Sequence, residues 1–446
     1  MAGGNFNIGV SKTRPGTYVN FVADKLNTPS GATRGIAIIP LVNLGWGPDK
    51  EFLHIMASKP DEYVDKLGHS VYDNHSLMVM IREVLKNAYE CVVYVINKGT
   101  KATKTTGDLV ITATYGGSRG NNISVVCIAN PVNGFDVRVY LDNAMVEEYE
   151  GVKTIGDLIA ASSKKYVVFS AADTTENLVA FASVQLATGT DGEASNSDVS
   201  GFLDASENVK WNTMAFPLDD TSLHAAAIAK IKYLRESVGK MVQCVIADCG
   251  ANSEGIINVT NSVQLEDGAL TEEQACAWVA GVTAAAGKTV SNTYVVYVGA
   301  TAVIGVKTNE EANAAINAGE FFFSPTDSGE VVVEYDINSL HTFTEDKTQD
   351  YCKNRVIRVY DSFADDLKLT FPPNKYANSE EGWLIMEGIG RSLLLRYADE
   401  GAISDVDADN DFCVDKSKSI GDETYFNVGI KAVDSAEKLY FSVATR

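Results

Sequence analysis

Over residues 99–192 the chain changes its hydrophobic period, and this interruption constrains the fold more than any other feature. On either side, continuous apolar runs alternate with helical stripes. Inside it, short stretches alternate residue by residue at 109–115, 123–129, 135–141 and 166–170, with Gly and Asn between them. A period of two marks half-buried strands, and closely spaced turn residues mark an all-β unit. One short helix is expected within it, at 155–162. The polar, turn-rich stretch 188–201 closes the unit.

The flanks read differently. Residues 35–44 and 91–96 are unbroken apolar runs, the pattern of strands covered on both faces. Between them, Leu77, Met80, Ile81, Val84, Leu85 and Ala88 recur at helical spacing. After the β unit the alternation resumes, with helices at 223–238, 271–286 and 309–318 and strands at 241–247, 294–298 and 331–335. Thr271, with Glu273 and Gln274 behind it, is a helix-start signal. Segments 33–98 and 203–343 are therefore expected to share one sheet. The fold class that follows is multidomain: an α/β core domain interrupted by an inserted all-β domain of sandwich or barrel type at 99–202.

A third unit follows. A long helix is expected after Thr344, with Val356, Val359, Tyr360, Phe363 and Leu367 on one stripe and Pro372 and Pro373 as its stop. A second helix at 381–398, an acidic loop at 399–415 and short strands complete an α+β C-terminal domain, 344–435. Residues 1–32, rich in Gly, Asn and Thr, read as an N-terminal arm with one strand-like island at 16–22. Residues 436–446 read as a terminal strand, with Leu439, Phe441 and Val443 on one face. A lone strand needs a sheet to join.

Composition narrows the function. The net charge of −22 over 446 residues argues against nucleic acid, which demands a basic footprint. No apolar run reaches the ~18–20 residues of a membrane-spanning helix, so no membrane insertion is expected. The first sixteen residues lack a signal-peptide core, and the expectation is a protein made in the cytoplasm. Seven scattered cysteines read as reduced core thiols.

Candidate chemistry is thin. Asp405, Asp407, Asp409 and Asp411 have the spacing of a calcium loop, but Asn410 and Lys416 stand where that loop needs Gly and Glu. The Gly-rich turn 115–123 lacks the Lys-Ser/Thr and following helix of a phosphate cradle, and reads as a tight turn. Gly388, Ile389 and Gly390 sit in a helical pattern, the wrong context for a dinucleotide site. His54, His69, His75, His224 and His341 show neither metal-ligand spacing nor a nucleophile motif; His69 and His75 read as caps or surface residues. No catalytic residue, metal or cofactor is assigned.

Several segments together resemble the tail sheath protein family of contractile bacteriophage tails, in its Gram-positive phage and R-type bacteriocin branch. They are 12–21 (KTRPGTYVNF), 35–48 (GIAIIPLVNLGWGP), the turn 115–123, 186–192 (LATGTDG), 354–367 (NRVIRVYDSFADDL), 400–403 (EGAI) and 432–443 (AVDSAEKLYFSV). Residues 371–382 depart from the pattern, being shorter and richer in Pro. The resemblance implies a structural protomer, not an enzyme, in hexameric rings stacked helically around an inner tail tube, with baseplate and terminator or collar proteins at the ends. It implies an outward inserted domain and a C-terminal domain against the tube, where Arg391 and Arg396 are candidate contacts. It implies arms that add strands to neighbouring subunits: Tyr18, Val19, Asn20, Phe21 and Val22 at one end, and Leu439, Tyr440, Phe441, Ser442 and Val443 at the other. Localisation would be a virion tail or tail-like particle. The alternatives are a cytoplasmic α/β hydrolase with a β insertion, which needs a histidine beside a serine or cysteine, and a surface-binding adhesin using 99–192.

Overall fold

A computed structural model describes residues 2–4, 16–18 and 34–445. Its centre is a seven-stranded sheet ordered Glu320–Phe321, Ile256–Val259, Gln243–Ala247, Thr213–Phe216, Ile36–Val42, Glu90–Ile96 and Glu51–Met56. All neighbours are parallel except Glu51–Met56, which runs antiparallel at the edge. The two sequence segments meet where Thr213 and Met214 pair with Ala37 and Ile38. One sheet is thus built from both sides of the insertion.

Alternate residues of each strand enter opposite cores, which is why the sequence runs are continuously apolar. Ile39, Leu41, Val93 and Val245 face the helices Ser76–Leu85 and Glu272–Ala285. Ile38, Val92, Tyr94 and Met214 face Asn196–Ala205 and Thr221–Tyr233. Each such fully buried side chain contributes about 1.5–3 kcal/mol. His75 caps the first of these helices by accepting from the Leu77 amide, and Thr271 and Gln274 close a reciprocal cap on the second. Asn196–Ala205 lies in the range expected for the inserted domain, yet Val199, Phe202 and Leu203 pack on the core sheet.

The insertion is a sandwich. Its four-stranded sheet is ordered Ala144–Val152, Phe135–Leu141, Ile123–Ala129 and Phe181–Gln185; its three-stranded sheet is Val167–Ser170, Leu109–Gly116 and Lys101–Thr106. Ile111, Ile123, Val125, Val137 and Val139 fill the space between them, and the helix Ile155–Ala161 adds Leu158. Three of these strands carry no sequence signal: Lys101–Thr106, Ala144–Val152 and Phe181–Gln185. All three lie at sheet edges; Lys101, Lys104, Glu147 and Glu148 blunt further pairing at the first two, and Phe181–Gln185 carries no charge.

The C-terminal domain has the helices Asn354–Thr370 and Glu380–Asp399, packed through Val359, Phe363, Leu393, Leu394 and Tyr397. Two small hairpins lie beside them, Phe412–Val414 with Phe426–Val428 and Ile403–Ser404 with Lys431–Ala432.

Two expectations are corrected. The long helix starts at Asn354 and not just after Thr344, because the polar stretch closes a turn of its own between Thr344 and Lys347. Residues 294–298 form a turn and one bridge, since Tyr294 takes a left-handed φ of 60°; the strand is Ala300–Ile304. Leu439, Tyr440, Phe441, Ser442 and Val443 join no ladder with the other described residues. A strand needs a partner's hydrogen bonds, and no described strand of the same chain offers them.

Candidate functional site

The C-terminal segment is held at one point and then released. Glu437, with its side chain 8% exposed, pairs with Lys353 and accepts from the hydroxyls of Ser291 and Thr293 at 2.7 Å each. Burial opposes its charge, but Lys353 and the two hydroxyls hold the carboxyl below the usual range. Asp434 lies 3.4 Å from Lys353, and Ser435 accepts from Arg355 at 2.5 Å. Beyond this anchor Tyr440 and Phe441 are 89% and 82% exposed, and Leu439 and Val443 are also exposed. A run of large apolar side chains in water after a firm anchor has the form of a surface made for a partner.

The other end enters beside the same helix. Arg34 pairs with Asp365 at 3.4 Å, at the rim of a cleft of about 460 Å³ between the core and C-terminal domains. Lys353 immediately precedes the helix Asn354–Thr370, and Asp365 lies twelve residues on, about 18 Å along the axis. One helix therefore carries both anchors. It is fixed to the core by two buried ion pairs. Arg358 meets Asp336 at 2.7 Å, and Arg235 grips Asp361 with two bonds of 2.9 and 2.8 Å. Asp336 also accepts from the Asn292 amide and the Asn354 side chain.

The Gly-rich turn 115–123 is the seat of the inserted domain. Asn97 donates to the carbonyls of Gly47 and Gly116, the Arg119 amide donates to the Gly45 carbonyl, and Asn121 exchanges two bonds with Gly189. Gly117 has φ +123°, and a Cβ there would lie 1.9 Å from the Gly45 oxygen. Trp46 reaches from the core domain into the sandwich core, edge-on to Tyr115 at 5.3 Å. The rings of His69 and His75 lie 4.5 Å apart, tilted by 32°, beside this seat. Burial and the nearby Arg119 push both imidazoles below their usual range, against the pull of Asp73.

The remaining sequence candidates have structural roles. Asp407 and Asp411 bind the amides of their own loop, and Asp405 pairs with Lys431. Gly390 lets the Phe412 ring lie against the helix, where a Cβ would approach it to 2.2 Å. Among the described residues, the histidines other than His69 and His75 bond Glu90, the Leu218 carbonyl and the Ser339 carbonyl, not a serine or cysteine side chain. The seven cysteines form no disulfide. Arg396 pairs with Asp366 at 2.7 Å, whereas Arg391 lies 3.9 Å from Asp409 at the surface. Tyr18 ends the strand Gly16–Tyr18, which pairs with Ala2–Gly4; Val19, Asn20, Phe21 and Val22 lie outside the described residues.

Family models agree with this division. The phage tail sheath β-sandwich domain matches 97–191, the phage tail sheath central domain 192–339 and the phage tail sheath C-terminal domain 346–446. The chain is 34% identical to the phage-like element PBSX protein XkdK of Bacillus subtilis, over 99% of both chains. This chain belongs to the phage tail sheath protein family. The sheath tail protein of Desulfitobacterium hafniense superposes on it with a TM-score of 0.83 and 36% identity, over 96% of this chain and 99% of that one. The fold is also that of the anti-feeding prophage helical sheath in its contracted state, at a TM-score of 0.57 and 14% identity over 98% and 100% of the chains. The family is one of structural tail proteins.

Within this sheath chain the contacts that hold the terminal segment escaped sequence reasoning. Lys353 and Glu437 are eighty-four positions apart, and neither carries a motif.

Proposed function

We propose that the chain is the protomer of a contractile sheath, stacked in hexameric rings around an inner tube and linked by strands that its two arms lend to neighbours. The observation that carries this reading is the anchored and then exposed C-terminal segment. Glu437 ties its base to the helix Asn354–Thr370, while Leu439, Phe441 and Val443 offer one apolar face and an unpaired backbone. Donated strands satisfy backbone hydrogen bonds across subunits without fixing the angle between bodies. Repeated head-to-tail links of this kind build rings and helices. Contraction would then slide linked bodies past one another, driven by energy held behind a kinetic barrier and not by a cofactor. The shortened stack would drive the tube through a bacterial envelope, with baseplate and terminator or collar proteins at its ends.

The C-terminal domain is the proposed tube-facing side. Arg396 is tied to Asp366, so the contact would fall to Arg391 and to the outward stripe Leu384, Ile385 and Leu395 of the same helix. Deleting residues 439–446 tests the linkage. Co-expressed with tube and baseplate proteins, the shortened chain should fold with an unchanged melting curve and form no ringed tubes in electron micrographs. Normal tubes from it would refute the arm role.

A further inference from the structure

The sheath chain has an unguarded strand edge away from its arms. Between Lys288 and Lys307 there are eighteen consecutive residues without a charge, in a chain of net charge −22. They fold along one side of the core domain. Ala300–Ile304 pairs antiparallel with Ser262–Leu265 on one side and with no described strand on the other. Tyr297 is buried, stacked on Trp278 at 4.2 Å and donating to Glu83 at 2.9 Å. Its neighbours Val296 and Val298 therefore point outward, and Val298 is 71% exposed. Tyr294, Ile304 and Val306 extend the same exposed apolar strip.

Two edges of the inserted domain are guarded by charge. Lys101–Thr106 carries two lysines and Ala144–Val152 three glutamates, as solitary edges should. Ala300–Ile304 and its flanks carry neither charge nor proline. The bordering Lys86 and Lys307 are paired with Glu83 and Glu320. We infer that this edge is a body-to-body contact with a second copy of the same chain, separate from the arms.

The charge balance selects that partner. Two copies of a strongly acidic chain repel, so they can pack closely only where both present little charge. A basic partner would gain nothing from an uncharged strip and would be drawn to acidic surface instead. The inference rests on self-assembly of the sheath but not on arm exchange.

The test compares the full chain with Val298→Lys, Val298→Glu and the control Val132→Lys, which alters an exposed loop of the inserted domain. Sedimentation velocity and negative-stain images are recorded with tube protein present, and circular dichroism checks folding. A charge of either sign should lower the assembled fraction about tenfold, because it must be stripped of water at the contact; Lys86, which donates to the Val298 carbonyl, is already paired with Glu83. The control should stay within about twofold. If either Val298 variant unfolds, Ala302→Arg replaces it at the same edge. Undiminished assembly of the folded variants overturns the edge contact and leaves the sheath reading standing. Assembly weakened by Lys but strengthened by Glu overturns it in favour of a basic partner. A native chain that stays monomeric overturns both readings.

Discussion

The core domain holds its C-terminal neighbour through buried charge and its inserted neighbour through backbone. At the first joint Arg358 and Asp336 are almost wholly buried, and Arg235 clasps Asp361 in a two-pronged bond. At the second, glycines bring main chains into contact, Asn97 bridges the Gly47 and Gly116 carbonyls, Arg119 donates to the Gly68 carbonyl, and Trp46 plugs the sandwich. Buried ion pairs tolerate no small displacement, since separating them leaves charge in a low dielectric. Backbone contacts of the second kind depend on shape and on the absence of a side chain. The two terminal contacts, Arg34 with Asp365 and Glu437 with Lys353, lie on the charged side of this comparison, beside the helix Asn354–Thr370.

The comparison can be broken most directly at Arg358. Replacing it with Met should cost about 3–5 kcal/mol, because Asp336 is left buried and unpaired. Urea unfolding would measure this. Adding Asp336→Leu should recover only part of the loss, as the Asn292 amide and Asn354 also lose their acceptor. Full recovery would mean that the joint depends on packing and not on charge.

Gly117→Ala attacks the other joint. The clash with Gly45 and the positive φ together should cost at least ~2 kcal/mol. The damage should be local. Limited proteolysis should cut faster near 97–99 and 190–192, with hydrogen exchange in Asn354–Thr370 unchanged. Slowed exchange at the inserted domain or general unfolding would erase the distinction between the joints.

The smallest effect is expected from acid. His69 and His75 have folded pKa values below their unfolded ones. Their neutral forms are favoured by folding, so this contribution is complete above the unfolded value of about 6.5. It falls as pH drops through the window below that value, when each imidazole charges beside Arg119. The inserted domain's docking should weaken there, while the charged joint, whose two ion pairs contain no histidine, should not. His69→Gln with His75→Asn, which keeps a capping side chain, should flatten the pH profile of proteolysis at the seat.

Much of this architecture was legible in residue order. Continuous apolar runs named the doubly covered strands, and the change of period marked the insertion. Thr271 announced a helix start. The strands that stayed hidden, such as Lys101–Thr106 and Ala144–Val152, are edges whose charges guard against pairing and so erase the hydrophobic alternation. The turn at Tyr294 was hidden by residues that favour strands, because its left-handed backbone is imposed by surrounding contacts and not by local preference.

Sequence alone determined the layers, the interruption and the apolar character of the last residues, because burial on one or two faces is written into local periodicity. Only the tertiary structure decided where that last segment is tied. Glu437 finds Lys353, Ser291 and Thr293 from three distant parts of the chain. Such a cluster leaves no periodic trace, since its energy comes from through-space charge and hydrogen bonding and not from neighbours in sequence. The same holds for Arg358 with Asp336 and for Gly117 against Gly45, where one chain segment meets another only after folding.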